Sequence, residues 1–276
     1  MSRNLATFVL KIKIMDILTH TLSGVAVGTV FSGRSTGTWR TKTAIILFSG
    51  LGAALPDIDA ISMWSRFDAV FGRLFSLEHS GRVIYSAKFW YSHHGFMHSL
   101  FAAALFTLII GLLFWLFSRR ERNSSLLDVF QKKKLLLFGF MSGFVVHLLQ
   151  DMITPAGSWG GVRLFFPYEI YIGGTGDVWW WNNYNLFLVV VAIILINLCM
   201  LLIFRKDKVR LRKFTVGVFL VGCLCFAWQV MYIGYNFNGK KYADCEQQSK
   251  EIQRRILGEK IYRKMEKLDN FLIIYF

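Results

Sequence analysis

The sequence predicts an all-α fold, a polytopic bundle of transmembrane helices. Hydrophobic residues fill 54% of the 276 positions, a larger share than soluble globular domains usually have. Four apolar runs are long enough to cross about 30 Å of hydrocarbon, for which a helix needs about 20 residues. Lysines and arginines gather between these runs, as they do in the loops that orient membrane helices.

Two shorter runs precede the four long ones, so we expect six membrane helices in all. The short runs are rich in glycine and alanine, which is typical of helices that pack tightly or cross only part of the bilayer. In chain order the six predicted helices are 16–33, 43–55, 97–118, 135–154, 184–204 and 214–235.

The predicted membrane domain covers residues 15–236 and has a segment on either side. Residues 1–14 form a basic extension whose apolar stretch is too short for a signal peptide, and Met15 is an alternative start. Residues 237–276 form a basic tail, in which aliphatic residues along one helix face predict an amphipathic helix on the membrane surface. These aliphatic residues are Ile252, Ile256, Ile261 and Leu268.

The net charge of +15 does not predict nucleic-acid binding in this chain. The basic residues lie in loops and in the tail, where they orient the helices and meet the anionic lipid of the bilayer. The cysteines show no spacing typical of a disulfide framework or a zinc site. Cys199, Cys223 and Cys225 fall inside predicted helices, where we expect them to be buried as small apolar residues.

Histidines and aspartates within the apolar part of the chain are candidate functional residues. An aspartate near the bilayer centre costs about 2.5–3.5 kcal/mol on insertion scales, so its presence points to a function. Taken singly, such residues also fit roles as helix caps, turn residues or hydrogen-bonded core histidines. They occur in four blocks: MDILTH with Asp16 and His20, ALPDIDA with Asp57 and Asp59, YSHHGFMHSL with His93, His94 and His98, and HLLQDMITPAG with His147 and Asp151.

The order of the four blocks along the chain predicts that they meet at one end of the bundle. The first and third blocks begin the first and third predicted helices, and the second and fourth blocks end the second and fourth helices. In an alternating topology these positions share one membrane side, for which unrelated capping and packing roles give no reason. We therefore expect His20, Asp57, His98, His147 and Asp151 within one cluster of about 10 Å or less, as a two-metal site requires.

Imidazoles mixed with carboxylates, without thiolates, are typical of a site for a divalent metal. Zinc is the commonest hydrolytic ion, and manganese or iron also fits. The candidate ligands are more than one tetrahedral ion needs, so we expect two ions bridged by carboxylates, with Asp59 or Asp151 as general base. The predicted ligands are His20, Asp57, Asp59, His93, His98, His147 and Asp151. Asp16, His94 and Asp177 are expected to support these ligands or to face the substrate.

The same blocks resemble the LexA-binding, inner-membrane-associated hydrolase family, also described as predicted membrane-bound metal-dependent hydrolases. The matching pieces are 15–20, 56–59, 93–99 and 147–151, together with TPAGSWGGVRLFFP at 154–167. The resemblance covers roughly residues 15–180. It implies a bacterial inner-membrane protein with a polytopic helical fold and metal-dependent hydrolase activity, and it supplies no substrate.

The third block departs from the family pattern, which reads His-Arg-Gly-Phe-Thr-His-Ser. Here His94 replaces the arginine, so one candidate contact for an anion is lost. The family pattern selects His93 and His98 as ligands, although these two would lie roughly 140° apart on a helix. Gly95 resolves the difference if residues 93–95 are not helical. Asp177 lies near a further family aspartate and fits a turn equally well.

The charges predict the orientation of the chain in the membrane. The short loops on the side without the four blocks are dense in lysine and arginine, so this side is expected to be cytoplasmic and the metal site exoplasmic. The basic tail favours the opposite orientation.

Three functions fit these residues. We favour a membrane-embedded metal-dependent hydrolase that acts on a phosphoester or lipid-linked substrate at the membrane surface. The alternatives are a non-catalytic membrane protein with a structural metal and a metal or proton transporter. Against a transporter, the ionisable residues gather at one end and do not continue across the helices.

Overall fold

A computed structural model describes residues 15–122, 125–154, 159–174, 183–232 and 242–271. Its regular structure in these ranges is helical, which confirms the all-α prediction, and one isolated antiparallel bridge pairs Val162 with Ile172. The α-helices are α1 (Met15–Arg34), α2 (Trp39–Ala54), α3 (Gly81–Ser86), α4 (Leu100–Arg122), α5 (Leu126–Met152), α6 (Tyr184–Ile203), α7 (Lys208–Tyr232) and α8 (Tyr242–Phe271). Shorter turns of 3-10 helix occupy Pro56–Met63 and Phe96–His98, and a π-helical turn occupies Asp68–Gly72.

Among the described residues, four helices are long and apolar enough to cross a membrane, namely α4 over Leu100–Ser118, α5, α6 and α7. This confirms the four long predicted helices, although three of them begin elsewhere, the last at Lys208 rather than at residue 214. The helix expected from residue 97 begins at Leu100, because His98 closes a separate 3-10 turn. The helix expected from residue 135 begins at Leu126, where Ser125 and Asp128 form a capping box.

The two shorter predicted segments both form helices, α1 and α2. α2 meets the 3-10 helix Pro56–Met63 at a bend of 47°, and together they are long and apolar enough to form a fifth, broken span. α1 packs against α2, α5, α6 and α7 and therefore lies at the centre of the bundle. Because a central helix meets protein on every side, it does not need the apolar surface that lipid requires. The sixth membrane helix stays a prediction.

Glycines allow α1, α2 and α5 to approach each other closely, and the composition of the two short predicted helices, α1 and α2, indicated such packing. A Cβ atom on Gly24 or on Gly143 would collide with the backbone oxygen of Ser49 in α2. A Cβ on Gly52 would collide with the backbone oxygen of Phe140. Small residues at such contacts permit the close backbone approach that stabilises helix pairs in membranes. The close approach also brings the end of α2 beside the last turns of α5.

The described part of the tail forms helix α8, with a break in helical geometry at Gly258, where φ is 71°; its place on the membrane surface stays a prediction. The helix packs on the protein as well as presenting basic residues to its surroundings. Tyr262 and Met265 are buried against Tyr184 and Phe187 at the start of α6. The part of α8 after Gly258 therefore packs its apolar face on the bundle.

The cysteines of α6 and α7 differ from expectation. Cys199, Cys223 and Cys225 are exposed on the helix surfaces, so the prediction that they are buried inside the protein was wrong. A thiol behaves as a small apolar group, and a lipid-facing position suits it as well as a protein core does. The predicted extension 1–14 lies outside the described residues.

We expect Gly143→Ala to destabilise the protein, because the new Cβ would collide with the backbone of α2. Overpacking of this kind typically costs about 1–3 kcal/mol. Thermal unfolding of purified protein in detergent, followed by circular dichroism, should show a lower midpoint. The control is Gly217→Ala, where the added Cβ meets no atom within 4 Å. Equal midpoints for the two variants would contradict this packing.

Candidate metal centre

The ends of four helical segments bring the predicted blocks together. His20 lies on the second turn of α1, and the 3-10 helix that follows α2 carries Asp57 and Asp59. His98 ends the 3-10 turn before α4, and the last turns of α5 carry His147 and Asp151. Adjacent members of this set lie within 4 Å of each other, which confirms that the blocks meet in space.

Four of these side chains form a compact group of ligand atoms. Oδ2 of Asp151 lies 3.0 Å from Nε2 of His147 and 3.2 Å from Nε2 of His98. Oδ1 of Asp57 lies 3.5 and 3.8 Å from the same two nitrogens, which are themselves 3.3 Å apart. A tetrahedral ion with bonds of about 2.1 Å separates its ligands by about 3.4 Å. The atoms of Asp57, His98 and His147 all lie within 4.8 Å of one another, a spacing that fits one divalent metal ion, and Asp151 lies beside the two histidines.

Hydrogen bonds at Nδ1 turn the other ring nitrogen of two histidines toward this group. Nδ1 of His147 donates to the backbone oxygen of Ala53 at 2.7 Å, and Nδ1 of His20 donates to Oε1 of Gln150 at 2.8 Å. The Gln150 amide nitrogen in turn donates to Oγ of Ser23 at 2.8 Å. Each imidazole then keeps a lone pair on Nε2, and such outer hydrogen bonds are typical of metal-binding histidines.

The group also contains buried polar atoms that the protein leaves unsatisfied. Oδ2 of Asp151, Oδ2 of Asp59 and Nδ1 of His98 are buried and make no hydrogen bond within the described part of the chain. An unsatisfied buried polar group costs about 1–3 kcal/mol, and more when it is charged. A cation between the carboxylates and the imidazoles would offset that cost, so the donor set fits a metal.

A second group lies beside the first and shares His98 with it. One ring nitrogen from each of His93, His94 and His98 falls within 4.8 Å of the others. Asp59 lies against two of these rings. Its Oδ1 is 2.6 Å from Nδ1 of His93, and its Oδ2 is 3.2 Å from Nδ1 of His98. Nδ1 of His94 donates to the backbone oxygen of Gly161 at 2.9 Å. The protein therefore offers a second place for a cation next to the first.

Burial and charge act differently on two of these histidines. Burial, followed by the neighbouring imidazoles of His93 and His98, lowers the pKa of His94 to about 3. The ring of His94 is therefore neutral at neutral pH and keeps a lone pair. Burial alone would lower the pKa of His98, but the nearby carboxylates, that of Asp59 first, raise it well above its ordinary value. A divalent metal at His98 must compete with this proton.

Local backbone geometry explains why three histidines fit into so few positions. Residues 93–95 are not helical, as the family pattern required, and His94 has a φ of 64°. A left-handed backbone at a residue other than glycine is uncommon and reverses the chain here. The indole of Trp159 lies against the rings of His93 and His94, with centroids 5.1 and 4.6 Å away. This cover shields the second group from solvent.

The remaining predicted residues are placed as follows. Asp16 belongs to the first turn of α1, and its side chain lies outside the described part, as does the whole of Asp177. His79 is exposed and stacks on Phe89, and it belongs to neither group of histidines.

Sequence reasoning missed three supporting residues. Gln150 orients His20, Gly161 accepts from His94, and Trp159 covers the second group. A glutamine near the end of an apolar helix, one residue before Asp151, was a usable signal. The contacts of Gly161 and Trp159 depend on how a loop folds back on the site; the family resemblance included this loop, within 154–167, but assigned these two residues no role.

Fold and site together define a multi-pass membrane protein with a buried histidine and aspartate group that can hold a metal ion. The family described as YdjM inner membrane protein matches residues 15–236, and the chain belongs to this family. The family description gives a location and no activity. Searches of curated proteins and of solved structures found no significant match.

We expect His147→Ala to remove at least one bound metal ion per chain, because loss of this ligand leaves the coordination of the metal incomplete. Elemental analysis of protein purified without chelator measures the change directly. His79→Ala is the matched control, since it removes an imidazole outside both groups. A wild-type protein without transition metal, or equal metal content in the two variants, would contradict the proposed site.

Proposed function

We propose that this protein is a metal-dependent hydrolase of the bacterial inner membrane that acts on a phosphoester or lipid-linked substrate. The observation that carries the proposal is the compact group of Asp57, His98, His147 and Asp151, whose ligand atoms have the spacing of a metal site. When bound, a divalent metal supplies Lewis acidity, which polarises a phosphoryl oxygen and makes water easier to deprotonate. The histidine and aspartate donors favour zinc and also accommodate manganese or iron.

We assign two ions to the site. The first ion would be held by residues of the compact group, with His20 beside Asp151 at 3.4 Å. The second ion would be held by His93 and His94, and Asp59 contacts His93 and His98. In this arrangement His98 contributes to both, and Asp59 and Asp151 are the carboxylates that can accept a proton from water. The division of roles between these two aspartates is part of the proposal.

Apolar side chains around the site support a substrate with a lipid part. Ile58 lies between Asp57 and Asp59 in sequence, yet its side chain is 60% exposed. Phe165 and Ile170, on the loop that carries Gly161, are also exposed. Large apolar side chains exposed near a site are typical of a contact with lipid or with a partner. At the end of a membrane bundle they would place the site at the interface, within reach of a lipid headgroup.

A structural metal is the second candidate, and one observation favours it. Four protein ligands fill a tetrahedral ion, whereas catalytic zinc usually keeps one position for water or substrate. The second group with its separate histidines favours catalysis, because it leaves ligand positions for a substrate.

The transporter alternative has less support. Deeper in the bundle, Asn197 donates from its side-chain amide to Oγ1 of Thr29 at 2.8 Å, and Thr215 lies beside them. These groups are neutral and do not extend the line of ionisable residues that ion pathways use.

If the protein is a hydrolase, zinc-loaded wild-type protein should hydrolyse phosphodiester or phospholipid substrates. Asp151→Asn should lower the rate of this hydrolysis at least 100-fold. The amide cannot accept a proton as the carboxylate does, so the loss should appear in kcat. His79→Ala should keep the wild-type rate. A protein that retains its metal and hydrolyses none of the phosphodiesters, phospholipids or lipid-linked phosphates tested would favour the structural metal.

We also propose that the site faces the exoplasmic side, because the short loops at the opposite end carry the denser positive charge. Two exposed positions test this in a background with all four cysteines replaced by alanine: Thr36, between α1 and α2, and Glu78, on the side of the site. An impermeant thiol reagent on intact cells should label Glu78→Cys and spare Thr36→Cys. The reverse labelling would move the site to the cytoplasm and favour soluble phosphoesters as substrates.

A further inference from the structure

A groove between α6 and α7 lies outside the histidine and aspartate site and shares no residue with it. Its volume is about 680 Å³, and its walls are almost entirely apolar. The lining residues are Val189, Ala192, Ile193 and Ile196 from α6, and Arg210, Lys213, Phe214, Gly217, Val218, Val221, Gly222 and Cys225 from α7. Both helices are candidate membrane spans, and the lining residues Ile196, Phe214 and Val221 are exposed, so the open side of the groove is expected to face lipid.

Two glycines shape the groove. A Cβ atom on Gly217 would meet no atom within 4 Å, so this residue leaves the floor of the groove open. A Cβ on Gly222 would collide with the side chain of Ile193, so here glycine lets the two helices approach and bounds the open part. The groove is therefore open at Gly217 and narrows at Gly222, where the two helices touch.

Positive charge lies at one end of the groove. Arg210 and Lys213 line it within the first turns of α7. Asp207 pairs with Arg210 at 3.4 Å, and within the described chain no acidic group lies within ion-pair distance of Lys213. Lys213 is exposed, so its ammonium group can accept an anion at the level where the helix leaves the hydrocarbon.

The length of the groove matches one leaflet of a bilayer. Lys213 and Cys225 are separated by about 18 Å along α7 at about 1.5 Å per residue. Half the hydrocarbon thickness is about 15 Å. A lipid acyl chain that starts at the charged end and follows the groove therefore reaches the bilayer midplane.

We propose that this groove binds one anionic phospholipid, with an acyl chain between α6 and α7 and its phosphate at Lys213 and Arg210. The cationic end selects the anionic headgroup, and the apolar walls hold the chain. A second copy of the protein would need an apolar helix face to fill the groove and would leave Lys213 without an anion, so the lipid fits the charge better.

The test uses full-length protein, delipidated in detergent, with phosphatidylglycerol as the anionic probe and phosphatidylcholine as the neutral one. Native mass spectrometry should show one retained phosphatidylglycerol, and this lipid should raise the unfolding midpoint by several degrees more than phosphatidylcholine does. Lys213→Gln and Gly217→Leu should each reduce the retained lipid at least fivefold. Arg212→Gln is the matched control, since it removes a charge from the same turn at a residue that does not line the groove.

Three results would overturn the proposal. Equal losses in Arg212→Gln and Lys213→Gln would mean that diffuse charge attracts the lipid. Unchanged binding in Gly217→Leu would mean that the groove is not used. A wild-type dimer that Gly217→Leu converts to a monomer would place a second copy there. Bound metal in each variant, measured by elemental analysis, checks that the fold is intact independently of the lipid.

Discussion

Three buried carboxylates at one end of an apolar bundle are the constraint on which the site depends. The side chains of Asp57, Asp59 and Asp151 are 12%, 6% and 8% exposed. Removing a charge from water costs several kcal/mol unless a partner of opposite sign is close. The protein surrounds these carboxylates with five histidines, which balance the charge only where their rings are protonated, as the carboxylates favour for His98. A divalent cation, or protons on several imidazoles, must supply the balance, and the ligand spacing favours the metal.

The fold holds these groups in place through close helix packing rather than through the site itself. Glycine contacts bring the backbone of α2 against α5, and this places the carbonyl of Ala53 where His147 can donate to it. α1, enclosed by four other helices, carries His20 and the serine that orients Gln150. Rigid elements of this kind position ligands more accurately than free loops do. The segments outside the long helices carry Asp59 and the second group of histidines. Contacts from Trp159 and Gly161 hold His94 of this group in place.

The sequence was sufficient for the helices and for the meeting of the blocks. Long apolar runs predict spans, and alternation of spans places every second helix end on one side, so His20 and His147 could be expected to meet. The sequence was insufficient for side-chain contacts that depend on the tertiary structure. Both oxygens of Asp59 face histidine rings, and His94 lies as close to His98 as His93 does, with ring centroids 4.7 Å apart in both cases. The docking of Tyr262 against Tyr184 likewise depends on a distant helix, and amphipathic spacing in the tail gave no sign of it.

X-ray absorption spectroscopy at the metal edge tests the central claim most directly, namely that the buried histidine and aspartate group holds a metal ion. For full-length protein loaded with zinc, we predict a first shell of nitrogen and oxygen at about 2.0–2.1 Å with the outer scattering of imidazole rings. A sulfur shell at about 2.3 Å would assign the metal to cysteine thiolates. That result, or a spectrum without imidazole scattering, would contradict the site described for this protein.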